Sequence, residues 1–520
     1  METPVADVPG SAGAVHKIAC IGFMGAGKST AARSAAEALG SEPVDVDAVL
    51  EERLGKPIER VFAEDGESAF RAAEEQATLE LLDASEPGVL ALGGGAIGSE
   101  RVRAALRNHL VIWLDVPLDV AWSRCRDSDR PLARERTAFE GLYRRREPIY
   151  AALADAVVPA ERSNHMDPVL KALESLPGRT KLLWATSQSA DYPAYIGEGL
   201  LTEQGFWPPA VSGGRFLVTD GNAGRLYAAH LEPISGRVAI MPGEQSKTVA
   251  HAEIVWTELA RAGMTRDDVV VALGGGVVGD LAGFCAATYQ RGVRFAQVPT
   301  TLVAQVDSAY GGKTGVDLAE AKNYVGAFHQ PSAVIADTAT LRSLPPEERA
   351  AGYAEVIKTA LIAGGELWDR VRTGADPTDP VVIAACVLTK LRIVAQDERD
   401  VGLRQVLNLG HTVGHAIEAA TGYAAYRHGE AVALGLLAAL RLSEQDELRR
   451  TVAELLSAHG LPTRLERADP DAVVMATARD KKRRGTGEVP FVLLDGPGRA
   501  RPGCEIPSKA LVAAVRELSG

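Results

Sequence analysis

Cysteine, basic charge and long apolar runs are all in short supply in this chain, and each shortage excludes something. Five cysteines among 520 residues are scattered and odd in number, so they make no disulfide framework. No apolar run approaches the roughly 18 residues needed to span a bilayer, which argues against a membrane protein. The N-terminal stretch METPVADVPGSAGAVHK lacks the basic flank and long apolar segment of a secretory signal. Free thiols without an export signal lead to the expectation of a cytoplasmic protein. Lys and Arg number 56 against 68 Asp and Glu, a net charge of −12. That balance argues against general nucleic-acid binding, which needs a basic surface. Small anionic substrates stay open, because a local basic pocket can sit on an acidic protein.

What is present is the composition of a soluble globular protein, with 46% hydrophobic and 24% charged residues. The length implies two or three domains. Residues 1–15 read as a flexible tail of small residues. From Lys17 a strand (KIACIGF), a glycine loop and a helix (TAARSAAEALG) follow one another, and further apolar runs at GVLALGGG and HLVIWLDV alternate with helical stretches. Such alternation predicts a parallel sheet covered on both faces. A last helix, VLKALESL, stops before Pro177 and Gly178, giving a first domain over 16–176 and a linker over 177–181. A second α/β series then starts at TKLLWAT, with strands expected at RFLVTD, RVAIMP, DVVVALGGG, RFAQVP and AVIADT. The expected fold class is therefore α/β throughout: a P-loop domain, a Rossmann-like part over 182–346, and a mostly helical part over 347–520.

Gly22 to Ser29 fit the phosphate-loop pattern in its required setting between strand and helix. The backbone of Gly25, Ala26, Gly27, Lys28, Ser29 and Thr30 would wrap a nucleotide's phosphates. Lys28 would reach the β/γ-phosphates and Ser29 the Mg²⁺ that accompanies ATP. Asp45 and Asp47 close the next apolar stretch, where strand ends deliver residues to α/β active sites. One carboxylate suits the Mg²⁺ shell, the other an acceptor hydroxyl. Arg71, Gly93-Gly94-Gly95, Arg130 and Arg146 complete the series.

In this order these residues resemble shikimate kinase over about residues 16–170. The resemblance implies Asp47, Arg71, Gly93, Gly94, Gly95 and Arg146 as shikimate-binding residues, with Asp45 beside Ser29 at the Mg²⁺. It implies Lys28, Asp47 and Arg130 as catalytic, Arg130 standing on a lid. Arg124 and Arg126 both stand where an adenine-contacting arginine is needed. A regulatory, non-catalytic nucleotide domain is the competing reading, and retention of these charged residues weighs against it.

The second region carries His411 and His415 four apart on one helical face, with His428 beyond a glycine-bearing turn. Spacing alone selects His411 and His415 as metal ligands, to be completed by a carboxylate from elsewhere. Gly274 to Asp280 form a glycine run after a strand, which by itself is a weak dinucleotide signal.

PGEQSKT, ALGGGVVGDLAGFCAATYQRG, VDSAYGGKTGVD, GAFHQP, GYAEVIK, DERD, LNLGHTVGHAIE and HGEAVALG together resemble 3-dehydroquinate synthase over about residues 182–520. The resemblance implies Zn²⁺ or Co²⁺ on Glu355, His411 and His428. His415 becomes a substrate and proton-transfer residue. It implies NAD on Asp220, Asn222, Glu244, Lys247, Gly275, Gly276, Val277, Asp280, Thr300, Thr301 and Lys322. A heptulosonate phosphate would meet Arg291, Asp307, Lys313, Lys322, Asn323, Lys358, Lys390, Arg404, Asn408, His415, Lys481 and Lys482. That many cations suits a substrate bearing phosphate and carboxylate. Asp400 stands where the family pattern has a glutamate, as a catalytic acid or base. The implied chemistry is transient oxidation, phosphate elimination, re-reduction and an intramolecular aldol closure, with no net consumption of NAD. Partners would be small molecules, without nucleic acid or membrane, and room is left for a homodimer through this unit. Two rivals remain: a metal- and NAD-dependent alcohol dehydrogenase, and another sugar-phosphate cyclase. Lys390 and Arg404 favour the dehydroquinate synthase over cyclases of neutral sugars.

Overall fold

The computed structural model describes residues 17–519 apart from 128–130, 175, 179, 204–205, 319–320 and 478–488. The expected tail over 1–15, Arg130, Lys481 and Lys482 lie outside the described residues. The chain divides into two compact units, Met1–Ala185 with Gly205–Ala210, and Thr186–Gln204 with Val211–Gly520.

The first unit is built on β1 (Ile18–Gly22), β2 (Pro43–Asp45), β3 (Val89–Ala91), β4 (Leu110–Asp115), β5 (Ala156–Pro159) and β6 (Lys181–Thr186), in the order β2-β3-β1-β4-β5-β6. Every one of these pairings is parallel. Parallel strands are covered on both faces, which is why β1 and β3 are apolar and buried at every position. The helix Lys28–Leu39 turns Ala31, Ala32, Ala35 and Ala36 inward, and such small residues let it lie close on the sheet. It stops at Gly40 in the left-handed conformation. Because β2, β3 and β1 are neighbours, the chain leaves their carboxyl ends side by side, at Asp45, at Leu92–Gly95 and at Gly22. One expectation changes here. TKLLWAT, read as opening the second series, pairs with β5 through Ala156↔Leu182 and Val157↔Leu183, so hydrogen bonding joins it to the first unit's sheet.

The second unit has β7 (Asp191–Gly197), β8 (Arg215–Asp220), β9 (Gly236–Ile240), β10 (Val269–Gly274) and β11 (Arg294–Pro299), a hairpin of β12 (Lys313–Leu318) and β13 (Ala321–Phe328), then β14 (Ala333–Asp337) and a late hairpin of β15 (Phe491–Leu494) and β16 (Ala500–Cys504). Its main sheet runs β7-β14-β11-β10-β8-β9, all parallel. β12 takes in only the KTGVD end of VDSAYGGKTGVD, and β13 carries Lys322 and Asn323; neither is expected as a strand, since glycine, lysine and asparagine disfavour strands.

From Pro346 the unit is mainly helical. The helix Pro346–Ala363 starts with proline in its first turn and with Glu347 and Glu348 where the helix dipole favours acids. It packs against the helix His428–Leu442, which in turn packs against His411–Ala420. Two glycines set these approaches. A Cβ on Gly429 would overlap the Ala351 backbone, and one on Gly435 would overlap the Gly410 carbonyl. Three helices thus come close enough for Glu355, His411 and His428 to meet.

Candidate active sites of the two units

In the first unit, the phosphate loop ends where Gly27 caps the helix Lys28–Leu39. Lys28 Nζ donates to the Phe23 carbonyl at 3.3 Å, folding back over the loop. Ser29 Oγ donates to Asp45 Oδ2 at 2.6 Å, which joins the two groups expected at Mg²⁺. Asp45 also accepts from the Asp47 amide at 3.0 Å, capping the helix Val46–Leu54 and fixing Asp47 in its first turn. Thr30 follows Ser29 in the first turn of its own helix.

Arg71 pairs with Glu74 at 2.5 Å and with Glu67 at 3.2 Å. A Cβ on Gly95 would overlap the Arg71 guanidinium, and one on Gly93 the Glu74 and Asp47 carboxylates. The glycine triplet therefore lets three charged side chains converge on bare backbone. Glu74 is the residue the sequence reading missed here. Burial raises its pKa, with Arg71 acting against that rise. Burial lowers the pKa of Arg146, whose charge neighbours Tyr150, Arg71 and Glu74. Tyr150 donates to the Gly94 carbonyl at 2.8 Å, tying the helix Arg136–Leu153 to the triplet. Of the two arginines left open, Arg124 donates to the Gly25 carbonyl at 2.8 Å, whereas Arg126 pairs with Asp127 at 3.1 Å.

The second unit encloses a cavity of about 1540 Å³. Asp220, Asn222, Glu244, Lys247, Gly275, Gly276, Val277, Asp280, Thr300, Thr301 and Lys322 all line it. The strand β10 ends at Gly274, and Gly275 caps the helix Gly276–Thr288, aiming amide N–H groups into the space. A Cβ on Gly275 would stand 2.9 Å from Thr301 Cγ2, and one on Gly276 3.0 Å from Ser308 Oγ, so bare backbone keeps this cradle open. Asp220 is partly committed, because it accepts from Asn222 and Ala223 amides at 2.8 Å as a helix cap. Lys247 lies 3.0 Å from Glu244, 3.3 Å from Asp280 and 3.9 Å from Asp317. Burial opposes its charge, but Asp280 and Glu244 outweigh burial and raise its pKa. Tyr227, Ser343 and Leu344 line the same cavity and carried no motif by which sequence could find them.

His415, His428, Asp307 and Asn323 also face this cavity. Asp307 sits in a π-helical turn, Ala304–Ser308, a distortion frequent at functional sites. Its carboxylate takes Lys358 at 3.1 Å and Lys390, whose Nζ also donates to the Asp307 carbonyl at 2.6 Å. Lys358 reaches on to Glu355 at 2.5 Å. Lys313 pairs with Asp400, and Arg404 donates to the carbonyls of Glu398 at 2.6 Å and Gly311 at 2.9 Å. Asn408 ends the adjoining helical turn Leu403–Asn408 and donates to the Gln405 carbonyl at 3.1 Å.

Arg291 is not brought to this cavity. It lies on the turn before β11, with φ of 69°, while Thr300 and Thr301 follow the other end of that strand. Six residues of β-strand separate the two ends by roughly 20 Å.

Glu355, His411 and His428 place one ligand atom each within 4.8 Å of one another. His411 Nε2 is 3.4 Å and His428 Nε2 3.3 Å from Glu355 Oε1. Glu355 is fully buried, with Oε2 on the Lys358 ammonium and Oε1 facing only the two imidazoles, an arrangement that suits a carboxylate sharing a cation with them. Nδ1 of His411 faces the Leu409 carbonyl at 3.2 Å, and Nδ1 of His428 faces Glu418 at 3.4 Å. Both rings thus offer Nε2 to the shared centre. Burial pushes Glu355 up, but Lys358 and His411 outweigh it and hold its carboxyl well below the usual range. His415, chosen with His411 on spacing, instead groups with Glu418 and His428 in a second set of possible donors.

Residues 24–177 match the family model of shikimate kinase. Residues 237–351 match the 3-dehydroquinate synthase N-terminal model and residues 352–483 the C-terminal one. A 3-dehydroquinate synthase of Halorhodospira halophila is 44% identical over 355 residues, covering 64% of this chain and 98% of that protein. A structure of 2-deoxy-scyllo-inosose synthase with carbaglucose-6-phosphate, NAD⁺ and Co²⁺ has a TM-score of 0.58 at 25% identity, covering 65% of this chain and 99% of the other. A 2-epi-5-epi-valiolone synthase from Streptomyces hygroscopicus subsp. jinggangensis with NAD⁺ and Zn²⁺ gives 0.59 at 25% identity, over 64% and 98%. With nearly the whole length of its relatives spanned, this chain belongs to the 3-dehydroquinate synthase family, and a shikimate kinase unit precedes the synthase in the same polypeptide.

Proposed function

We propose that the first unit phosphorylates shikimate with ATP and that the second converts 3-deoxy-D-arabino-heptulosonate 7-phosphate to 3-dehydroquinate and phosphate. The observation that carries the second assignment is the chain Lys390–Asp307–Lys358–Glu355, which joins a cationic cluster to the Glu355, His411 and His428 donors. An alcohol dehydrogenase has no need of so many cations, and a cyclase of neutral sugars has no substrate carboxylate for Lys390 and Arg404 to hold.

In the first unit, the loop amides and Lys28 hold the β- and γ-phosphates, and Ser29 with Asp45 receives the Mg²⁺ of ATP. Asp47 binds the accepting hydroxyl, while Arg71 and Arg146 take the shikimate carboxylate. Glu74 and Gly95 hold Arg71 in place. Phosphoryl transfer asks chiefly for positioning and charge neutralisation, which these groups supply.

In the second unit, the donors fit Zn²⁺ or Co²⁺, and the Gly275 cradle with Lys247 and Asp280 fits NAD. Bound, these supply a Lewis acid and a temporary hydride acceptor. The protein's own part is to orient the substrate. Lys390 and Arg404 take the carboxylate, Lys313, Asn323 and His415 take the phosphate, and His415 moves the proton that leaves with it. Asp400 is read as the partner that positions Lys313. A homodimer through this unit is part of the proposal, since Arg291 does not reach the cavity of its own chain, and so is location in the cytoplasm.

The test is purified protein offered each substrate separately, with phosphate release and ATP-dependent shikimate phosphorylation followed in parallel. One phosphate per dehydroquinate, with substoichiometric NAD⁺ and no steady rise in NADH absorbance, is expected. Continuous NADH formation would assign the second unit to the dehydrogenases instead.

A further inference from the structure

Glu418 lies on the helix His411–Ala420, one turn beyond His415, with a side chain only 3% exposed. Its two oxygens are divided between two tasks. Oε2 is 3.4 Å from His428 Nδ1, and Oε1 accepts from Lys322 Nζ at 3.0 Å. His428 presents its other nitrogen to Glu355. Lys322, on β13, lines the cradle cavity, approaches Glu244 at 3.8 Å and stands 4.6 Å over the Tyr423 ring. A single buried carboxylate therefore joins a residue of the metal-donor set to a cation facing the dinucleotide space.

We infer that Glu418 is a positioning residue that fixes His428 for the metal and couples metal occupancy to Lys322, so that metal and NAD⁺ favour each other's binding. The inference rests on the metal and NAD reading given above. For His428 to present an Nε2 lone pair, its proton must sit on Nδ1, and Glu418 is the acceptor placed to keep it there. A cation on Nε2 withdraws density from the ring and makes Nδ1–H a stronger donor. The Glu418 charge is then drawn toward His428 and holds Lys322 less firmly, so the ammonium can turn to an anionic dinucleotide. Because linked binding is reciprocal, NAD⁺ must tighten the metal by the same factor.

The alternative geometry, a metal on His415, Glu418 and His428, would put the cation where Glu418 Oε2 now faces His428 Nδ1. Glu355 would then be left buried and unused.

The experiment uses the full chain stripped of metal, with Zn²⁺ affinity measured by chelator competition and NAD⁺ affinity measured with and without Zn²⁺. The wild-type protein should bind NAD⁺ at least about fivefold tighter when Zn²⁺ is present. Glu418→Gln should bind Zn²⁺ about tenfold or more weaker, change the visible spectrum of the Co²⁺ form, and lose the NAD⁺ enhancement. Glu418→Asp should restore part of each. Lys322→Gln should lose the enhancement while keeping Zn²⁺ affinity, which separates coupling from a damaged fold. Unchanged Zn²⁺ affinity in Glu418→Gln, or an enhancement that survives in either variant, overturns the inference. A wild-type protein that takes up no Zn²⁺, or a Glu355→Gln variant that binds it equally well, instead overturns the metal reading beneath it.

Discussion

The two sites keep their charges in different ways. In the first unit Ser29, the residue proposed for Mg²⁺, is exposed, and Arg71 keeps 27% of its side chain in solvent while leaning on Glu67 and Glu74. In the second, Lys358 and Glu355 are at most 1% exposed, and Lys390 is 9% exposed, each already paired with a carboxylate or cation. The kinase substrate brings its own phosphates and metal, so that site has only to receive charge. The synthase must hold one substrate through several steps in one cavity, and its charges are fixed in advance by buried partners. Removing one member of a buried pair leaves an uncompensated charge, at a cost of about 3–5 kcal/mol. Substitutions at Glu355, Lys358 and Lys390 should therefore lower stability along with activity, whereas those at the phosphate loop should lower activity alone.

The largest break in this comparison is metal removal. Protein treated with a strong chelator and returned to Mg²⁺ and ATP should phosphorylate shikimate normally and form no dehydroquinate until Zn²⁺ or Co²⁺ is restored. Glu355→Gln should behave as permanently stripped. Full synthase activity with metal retained in that variant would refute the ligand assignment. The converse test is Lys28→Ala, expected to cost the kinase at least about 10²–10³-fold, with dehydroquinate formation and melting temperature nearly unchanged. Equal loss of both activities in folded protein would show that the two units do not work independently.

The unequal legibility of the sites follows from the same contrast. The phosphate loop is one contiguous segment whose residues act through local backbone geometry, so Gly25 to Thr30 could be read directly. The donors proposed for the metal come from three helices. Spacing on one helix selects His411 and His415, because only neighbours on one face can be seen in a single segment. His428 enters from the next helix and Glu355 from an earlier one, through approaches that Gly429 and Gly435 permit. Family resemblance supplied that set before its packing was visible. Glu74 and Glu418 stayed hidden because a lone acid in a helix looks like a solvated residue until its neighbours bury it. Arg291 shows what a motif leaves out: it names the residue, but not that β11 carries it away from the cavity of its own chain.

A middle-sized effect sharpens the electrostatic side. Burial pushes Lys390 down to about 8, with Asp307 pulling it back only in part. Below that pH the side chain is a cation that can take a substrate carboxylate, and above it the neutral amine cannot. Synthase kcat/KM should therefore fall as pH rises past about 8, approaching tenfold per unit if this charge is essential. Lys390→Arg, which stays protonated, should move that limb upward. A limb that stays put in the arginine variant would assign it to another group, and kinase pH dependence should be unaffected.

The smallest expected effect is at Asp400, where this chain departs from the glutamate of its family pattern. The residue has φ of 58°, in the left-handed region that Asp tolerates better than a longer side chain does. Its Oδ2 accepts from Lys313, and its Oδ1 is buried without a hydrogen-bond partner among the described residues. That arrangement suits a positioning residue better than a catalytic base. If Asp400 positions Lys313, Asp400→Asn should raise KM for the heptulosonate phosphate severalfold, because the lysine loses the charge that aims it, while kcat and the acid limb of the pH profile change little. Asp400→Glu keeps the charge and should stay within about threefold of wild type, at a backbone cost of about 1 kcal/mol seen as a small drop in melting temperature. A collapse of kcat in Asp400→Asn with KM unchanged would make Asp400 the base after all. It would also show that the shorter acid reaches the reacting atoms once substrate has drawn Lys313 away.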